Sequence, residues 1–295
     1  MSLSELTAQW VRSKLPKRPK DANKGTFGKV LVIAGSENYP GAAYLPCAAC
    51  YRAGAGLVTL ATIPVVQNIV CKKLPEVTFV VLPEEDGVIG EMALDVLFAK
   101  IFHDVILFGP GLDRKEQTAK FIYQLLKMGI GDLTFVIDGD GLNILSEIKE
   151  WDKLLENYGN SAVLTPHPGE MSRLTGLSID EIQADREKVA QNFADGWGQV
   201  VVLKGANTII ASPTGERMVS PFANPILATA GTGDVLAGCI AGLIAQGLTT
   251  FDAACVGVYI HGLAGEMLTE KIGKAGALAS DLLPLLPAAI AHIQT

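Results

Sequence analysis

The sequence predicts an α/β protein whose mostly parallel sheet is covered by helices on both faces. Short runs of consecutive apolar residues alternate with longer stretches of helical spacing between Lys29 and Leu203. An uninterrupted apolar run is typical of a strand buried on both faces, and such strands joined by helices form parallel sheets. Several runs end in loops rich in glycine, proline or polar residues, at the sheet edge where α/β proteins bind ligands.

The N-terminal segment is predicted to precede the sheet. Ser2 and Glu5 have the spacing of a capping box, which predicts a short helix ending near Leu15. Prolines then indicate a connector, so residues 1–24 are expected to be helix and connector. No repeat, low-complexity tract or long linker divides the chain, and we therefore expect residues 1–295 to form a single domain.

The remaining elements follow from apolar periodicity. The predicted strands are 29–34, 57–63, 77–82, 104–108, 133–137, 162–164 and 199–203. The predicted helices are 41–55, 64–74, 91–100, 115–128 and 179–195. Polar and apolar residues alternate over 208–211 and 217–220, which predicts a hairpin, and the pattern after Gly233 is helical nearly to the end.

Composition excludes several classes of protein. The 31 acidic and 24 basic side chains give a net charge of −7, which argues against nucleic-acid binding. The longest apolar segments, 235–245 and 277–293, are too short or interrupted by Asp281 and prolines, so no membrane span is predicted. The basic N-terminal segment lacks the apolar run of a signal peptide, and we expect a cytoplasmic protein.

A glycine-rich loop is the strongest candidate for chemistry. Residues 229–234 (TAGTGD) precede a helical stretch, and glycines there allow backbone N–H groups and the positive helix end to approach an anion. A carboxylate such as Asp234 beside a phosphate is unfavourable unless it accepts a proton, which predicts a general base. The alternative is that Asp234 only caps the helix. The loop matches neither the P-loop nor the dinucleotide fingerprint.

Three further loops would meet this one at the same edge. In residues 165–170 (TPHPGE), His167 stands between prolines and is predicted to project from the loop. Glu170 has two interpretations, a cap of the next helix or a group facing a magnesium–phosphate unit. Residues 109–111 (GPG) are either a plain turn or a close approach to a ligand, and residues 204–208 (KGANT) either a hairpin turn or a nucleotide contact.

Two other features have ordinary structural interpretations. Cys47 and Cys50 form a C-x-x-C pair among small apolar residues, without a second pair at zinc spacing, which favours buried free thiols. His261 lies in an apolar helical stretch and is predicted to be a hydrogen-bonded core histidine.

Taken in order, these loops together with residues 41–43 (GAA) and 52–58 (RAGAGLV) resemble the ADP/ATP-dependent NAD(P)H-hydrate dehydratases. The resemblance runs from about Lys24 to Leu286; each motif is weak alone, but their order is specific. It implies a three-layer α/β/α ribokinase-like fold, a homotetramer and magnesium as cofactor. The implied activity is repair of hydrated NADH and NADPH, which lose water at the expense of ADP or ATP.

The resemblance also implies roles for individual residues. Contacts to the hydrated dinucleotide are implied for Ala42, Ala43, Gly111, His167 and Asp234. Contacts to the adenine nucleotide are implied for Lys204, Gly205, Ala206, Asn207, Thr208, Thr229, Gly231 and Gly233. Asp234 would be the catalytic base, with Asp138 the next candidate, and Glu170 would face the magnesium–phosphate unit.

Many relatives carry an epimerase domain ahead of the dehydratase, whereas only about two dozen residues precede Lys24 here. We therefore expect a stand-alone dehydratase that works after a separate epimerase and prefers ADP. Two alternatives stay open: a ribokinase-like kinase for a small alcohol of the thiamin-precursor type, and a non-catalytic dinucleotide sensor. Sugar kinases of this superfamily often have Asn at the position of His167, which disfavours a sugar kinase.

Overall fold

The computed structural model describes residues 3–129, 133–156 and 162–295. Its strands are β1 (Ser4–Glu5), β2 (Lys29–Ile33), β3 (Leu57–Thr62), β4 (Thr78–Val81), β5 (Glu84–Glu85), β6 (Val88–Ile89), β7 (Val105–Phe108), β8 (Thr134–Ile137), β9 (Ala162–Leu164), β10 (Val200–Leu203), β11 (Ile209–Ala211) and β12 (Arg217–Val219).

The helices surround these strands. They are α1 (Ala8–Lys14), α2 (Gly41–Ala53), α3 (Pro64–Val70), α4 (Ala93–Phe98), α5 (Glu116–Lys127), α6 (Asp140–Glu147), α7 (Trp151–Glu156), α8 (Pro168–Thr175), α9 (Ile179–Ala184), α10 (Arg186–Trp197), α11 (Thr232–Ala245), α12 (Thr250–Ile272), α13 (Ala279–Leu282) and α14 (Leu285–Gln294). Two short 3₁₀ helices cover Lys24–Phe27 and Pro225–Leu227.

One mostly parallel sheet organises the described chain, as predicted. Its strand order is β1-β12-β11-β10-β9-β8-β7-β2-β3-β4. Only the pairs β10–β11 and β11–β12 of this sheet are antiparallel among the described strands, and β11–β12 is the predicted hairpin. Because β2 and β7 to β10 are parallel neighbours, the loops that follow them emerge at one edge.

Helices flank the sheet on both faces. Along β10, Val200 and Val202 belong to one hydrophobic cluster, while Val201 and Leu203 belong to a second. Alternate residues of a strand point to opposite faces, so both faces of this strand are covered by apolar side chains. This is the three-layer arrangement of the ribokinase-like fold.

Close packing between α2 and α11 explains the small residues of both helices. A Cβ atom on Gly238 would lie 2.3 Å from the carbonyl oxygen of Pro46, and one on Gly242 would lie 2.7 Å from that of Cys50. Only glycine allows the two backbones to approach so closely. The free thiols of Cys47 and Cys50 are buried in this contact, and burial raises their pKa, as expected for unreactive core cysteines.

The structure corrects the predicted N-terminal helix. Ser2 lies outside the described residues, and Glu5 belongs to a short strand paired with Val219 rather than to a capping box. The helix begins later, at Ala8, where the Thr7 hydroxyl accepts the Trp10 N–H. A local capping pattern was overridden by pairing with β12, at the far edge of the sheet.

Other boundaries differ in smaller ways. The helix predicted over 179–195 is two helices, because Asp185 leaves the helical conformation and caps α10. The hairpin of β5 and β6 was not predicted, since each strand has only two residues. Leu6 and Ile293 share the main hydrophobic cluster, which supports the single domain proposed from the sequence. No helix among the described residues is long and apolar enough to cross a membrane.

Candidate active site

Polar side chains meet where three adjacent strands end. Asp138 follows β8, Thr165 follows β9 and Lys204 follows β10. The Lys204 Nζ lies 2.5 Å from Asp138 Oδ1, and the Thr165 hydroxyl donates to the same oxygen over 2.7 Å. Asp138 is only 2% exposed, and its buried carboxylate is held between the Lys204 ammonium group and the Thr165 hydroxyl.

Glu170 joins this cluster from the start of α8. Its Oε2 accepts the His167 backbone N–H over 2.8 Å and lies 3.6 Å from Lys204 Nζ. Burial raises the pKa of Glu170 to about 7, against the opposing charge of Lys204. Burial also lowers the pKa of Lys204, but the negative charges of Asp138 and Glu170 outweigh it and the net shift is upward.

His167 is half exposed and stands at the N-terminus of α8. Its Nδ1 accepts the backbone N–H groups of Gly169 and Glu170, at 3.0 and 3.3 Å. Burial and the charge of Lys204 lower its pKa, which favours the neutral ring. With Nδ1 accepting, the proton resides on Nε2, which faces Glu170 Oε1 at 3.4 Å and is a donor available to a ligand. The capping interpretation of Glu170 is thus confirmed, and the same carboxylate also faces Lys204.

The start of α11 is built differently. The N-cap is Gly231, with φ +90°, and no side chain accepts a hydrogen bond there. Thr232 instead ties the loop together, since its hydroxyl donates to the carbonyl oxygens of Leu227 and Thr229. Asp234 is the third helical residue and caps nothing, so the cap-only alternative is wrong. Within the described chain, the backbone N–H groups of Gly233 and Asp234 have no hydrogen-bond partner.

Asp234 belongs electrostatically to the same cluster. Its pKa is raised to about 8, first by burial and then by the charge of Asp138, while Lys204 opposes the shift. The neighbouring Gly233 lies against the Asp138–Lys204 pair, because a Cβ atom there would be 3.3 Å from Lys204 Nζ and 3.5 Å from Asp138 Oδ2. A carboxyl group with a pKa near neutrality is suited to accept a proton during a reaction.

The loop 204–208 joins β10 to β11 and borders a cavity of about 400 Å³. The Thr208 hydroxyl donates to the carbonyl oxygen of Gly205 over 3.0 Å. Asn207 is occupied structurally: its side chain donates to Ser220 O and its N–H to Phe222 O. These contacts shape the loop, and Asn207, unlike Lys204, Gly205, Ala206 and Thr208, does not line the cavity.

The cavity itself combines apolar walls with this polar rim. Its lining residues outside the loop are Ser220, Phe222, Ala223, Asn224, Pro225, Leu227, Ala228, Thr232, Gly233, Leu236, Val258, His261 and Gly262. An apolar cavity of this size with few polar groups suits a purine ring. Most of the wall between Phe222 and Ala228 was missed by sequence analysis, since it carries no recognisable motif.

His261 is the hydrogen-bonded core histidine that the sequence predicts. It is 7% exposed, and its Nε2 lies 3.0 Å from the carbonyl oxygen of Thr232. Burial lowers its pKa to about 4, so the neutral ring donates to that carbonyl. The histidine thereby supports the start of α11 from behind the cavity.

The other predicted substrate residues form a second wall. Gly111 has φ +60°, and a Cβ atom there would lie 2.6 Å from Ala42 Cβ and 2.7 Å from Tyr39 Cβ. Gly111 is thus packed closely against Ala42 and Tyr39 of the protein itself, and a ligand contact at residues 109–111 stays a prediction. Ala43 is fully buried whereas Ala42 is partly exposed, so Ala42 is the better placed of the two alanines to touch a ligand.

The donor set does not form a protein cage for a metal. Within the described ranges, no three or more His, Cys, Asp or Glu side chains are arranged to hold a metal ion. Both oxygens of Glu170 already face donors at the start of α8 or Lys204. Such a set fits Mg²⁺ only where phosphate oxygens and water supply most of the ligands, as is usual for nucleotide-bound Mg²⁺.

The mostly parallel sheet, its flanking helices and the polar cluster at one sheet edge define a ribokinase-like α/β protein. Residues 30–288 match the model of the NAD(P)H-hydrate dehydratase family. The chain belongs to this family, and the matched segment agrees with the resemblance recognised in the sequence.

Individual relatives support the assignment. The chain is 42% identical over 291 residues to the bifunctional NAD(P)H-hydrate repair enzyme Nnr of Moorella thermoacetica, covering 98% of this chain and 54% of that protein. It thus spans about half the length of such bifunctional relatives. It is 32% identical to the ADP-dependent (S)-NAD(P)H-hydrate dehydratase of Bacillus subtilis, covering 97% of this chain and 98% of that protein.

The solved structures agree. The crystal structure of the ADP/ATP-dependent NAD(P)H-hydrate dehydratase from Bacillus subtilis, co-crystallised with ATP and Mg²⁺, matches with a TM-score of 0.83 at 30% identity. The match covers 99% of both chains.

Proposed function

We propose that this protein dehydrates the S epimer of hydrated NADH and NADPH to the reduced dinucleotides, converting ADP to AMP and phosphate. The observation that carries the proposal is Asp234, a partly buried carboxylate with a raised pKa at an uncapped helix start beside Lys204. The family match names the same chemistry. A binding protein without activity would not need a base poised near neutrality at an anion site.

The adenine nucleotide would occupy the cavity beside the loop 204–208. The apolar wall suits the purine ring, and Lys204 with the free N–H groups of Gly233 and Asp234 suits the phosphates. Thr229 and Gly231 would contribute through the backbone that shapes the loop. The open amides and the ammonium group would stabilise charge that develops on the transferred phosphoryl group.

The hydrated dinucleotide would bind against the opposite wall. Ala42 and Gly111 would offer a flat backbone surface, and the Nε2–H of His167 would donate a hydrogen bond. The hydroxyl of the hydrated ring would then lie between Asp234 and the terminal phosphate of the nucleotide.

The reaction follows from leaving-group chemistry. Hydroxide leaves a hydrated nicotinamide ring poorly, whereas phosphate leaves well. Asp234 would accept the hydroxyl proton as that oxygen attacks the terminal phosphorus of ADP, and AMP would depart. The ring nitrogen lone pair would then expel phosphate, and loss of a ring proton would restore the reduced nicotinamide.

Mg²⁺ would accompany the nucleotide, and Glu170 is the carboxylate that would face the magnesium–phosphate unit. When bound, the ion neutralises phosphate charge. The residues of the chain would act around it: Lys204 would keep its place between Asp138 and Glu170 while its charge faces the phosphates.

We also infer a cytoplasmic homotetramer. Exposed apolar side chains at the β4 edge of the sheet, Val65, Ile69 and Val81, support association of copies of this chain. The mass in solution, measured by light scattering, tests this part separately; a monomer would contradict it.

The decisive experiment is incubation of the protein with hydrated NADH, Mg²⁺ and either ADP or ATP, followed through the absorbance of NADH. We expect recovery with ADP, accompanied by AMP and phosphate in equal amounts, and slower recovery with ATP. A higher initial rate with ATP would contradict the nucleotide preference alone. A stable phosphorylated product from a small alcohol, without NADH recovery, would instead support the kinase alternative.

A further inference from the structure

Arg186 lies beneath the loop 204–208 but outside the motifs that point to the active site. It is the first residue of α10. Its Nη2 donates to the carbonyl oxygen of Leu203 over 2.8 Å, and its Nη1 donates to that of Ala206 over 2.5 Å. One guanidinium therefore ties the two ends of the turn together, which a planar fork does better than any other side chain.

The carbonyl and N–H groups of this loop are used unequally. The carbonyl oxygens of Leu203 and Ala206 are taken by Arg186, and that of Gly205 is taken by the Thr208 hydroxyl. In contrast, the N–H groups of Gly205 and Ala206 have no partner in the part of the chain that the structure describes. Both residues are exposed and line the cavity. Unopposed neighbouring amides of this kind form a concavity that attracts anions.

The guanidinium also touches the loop directly. A Cβ atom on Gly205, whose φ is +151°, would lie 2.8 Å from Nη2 and 3.2 Å from Cζ. The loop thus rests on the arginine, and glycine is needed for this contact. The Nε atom of Arg186 is buried without a partner within the described ranges, so the side chain is oriented by the loop carbonyls.

We propose that Arg186 is a positioning residue: by binding the carbonyl oxygens of Leu203 and Ala206, it holds the 204–208 loop so that the N–H groups of Gly205 and Ala206 stay free for the phosphates of a nucleoside diphosphate. The inference rests on the proposed function, because it takes this loop as the nucleotide loop. Arg186 touches neither substrate; it acts through the backbone of Leu203 and Ala206.

The test compares Arg186→Met, Arg186→Lys and Glu187→Gln. Glu187 is the matched control, since it follows Arg186 on the same helix and pairs with Arg217 at 2.9 Å without touching the loop. Affinities for ADP and for adenosine, which lacks phosphates, are measured by calorimetry and by competition. The dehydration rate at saturating ADP and a thermal melt complete the set.

We expect Arg186→Met to weaken ADP binding about tenfold or more, because the loop would no longer be held with its free N–H groups toward the phosphates. Adenosine affinity should change less than about twofold, and kcat at saturating ADP less than about threefold. Arg186→Lys keeps the charge without the fork and should fall between Met and wild type. Glu187→Gln should bind ADP as wild type does, even where its melting temperature drops.

Three results would overturn the inference: unchanged ADP affinity in Arg186→Met, equal losses for ADP and adenosine, or an equal loss in Glu187→Gln. If Arg186→Met does not fold, Arg186→Lys takes its place in the test: a larger loss of affinity for ADP than for adenosine supports the inference, and equal losses overturn it. Failure of the proposed function looks different, because wild-type protein would then not bind ADP or not recover NADH.

Discussion

The helices α8 and α11 begin at the same edge of the sheet, but the N-terminus of α8 is capped by side chains and that of α11 is not. At α8, the side chain of His167 accepts two backbone N–H groups and Glu170 accepts a third. At α11, no side chain caps the helix, and the N–H groups of Gly233 and Asp234 stay free in the described chain. A helix whose donors are satisfied internally cannot bind an anion through them, whereas an open one can.

This difference assigns the two starts to different tasks. We propose that the start of α11 accepts phosphate and carries the base Asp234, while the start of α8 is a rigid support that would present His167 to the other substrate. Lys204 lies between the two, bonded to Asp138 and facing Glu170. If the two starts have different tasks, substitutions at α11 should affect ADP and catalysis, whereas substitutions at α8 should affect the other substrate.

The largest expected effect is that of Asp234→Asn. The amide cannot accept the proton, and removal of a general base typically costs roughly 10²–10⁴-fold in rate. ADP should still bind, since the free amides of α11 are unchanged. Calorimetry and the NADH-recovery rate, measured on the same preparation, check both statements. Turnover within about threefold of wild type would show that Asp234 is not the base, and Asp138 would be the next candidate.

The same variant has a stability signature. The pKa of Asp234 is raised to about 8 in the fold, so the favourable contribution of its neutral form is present at acidic pH and lost as pH rises through 8. Asparagine does not ionise. We therefore expect Asp234→Asn to melt no lower than wild type above pH 8, whereas a lower melting temperature there would contradict the burial of an unfavourable charge.

His167 tests the α8 side. His167→Ala should weaken binding of the hydrated dinucleotide about tenfold, because one hydrogen bond to that ligand is lost. The affinity for ADP should be nearly unchanged. It should also cost about 1 kcal/mol of stability through the lost cap. His167→Asn is the control, since asparagine caps well but lacks Nε2: it should regain stability without regaining dinucleotide affinity. Equal losses for both ligands would show that the loop is only structural.

Gly169 and Gly233 form a matched pair, since each is the second residue of its helix. Alanine at Gly233 puts a methyl group 3.3 Å from Lys204 Nζ, and we expect ADP affinity to fall about fivefold, or about 1 kcal/mol. Alanine at Gly169 meets only the ring of His167 and should leave ADP affinity unchanged. Similar ADP losses in both variants, measured by calorimetry, would remove the distinction between the helices.

The smallest expected effect is a shift of a pH profile. The kcat/KM of wild type should rise with pH up to about 8, as Asp234 loses its proton. The negative charge of Asp138 contributes to that raised pKa, so Asp138→Asn should move the acidic limb to lower pH. An unmoved or upward-shifted limb would show that Asp138 does not act on the base.

The sequence predicted the sheet and the active-site edge because both depend on local patterns. Uninterrupted apolar runs marked β2, β7, β8 and β10, and each ends in a recognisable loop. The N-terminal helix was misplaced because a distant partner, β12, pairs with the segment that carries Glu5. Local periodicity carries no information about such pairing.

Within the site, the predicted residues are distinguished by unusual composition, whereas the missed ones are not. Residues 229–234 and 165–170 stand out because glycine, proline and a charged group coincide. Arg186 looks like any basic residue at a helix start, and its contacts to Leu203 and Ala206 exist only after the fold brings α10 under the hairpin. The cap-only interpretation of Asp234 failed because α11 begins at Thr232, which makes Asp234 the third helical residue and leaves the N-cap to Gly231.

The central claim is that a phosphate-accepting helix start turns dehydration into phosphoryl transfer followed by loss of phosphate. It is tested most directly by placing a heavy-oxygen label in the hydroxyl group of hydrated NADH and locating it by mass spectrometry after turnover with ADP. The account predicts one labelled oxygen in the released phosphate for each NADH recovered, and no such transfer with Asp234→Asn. Label released as water, with unlabelled phosphate, would contradict it.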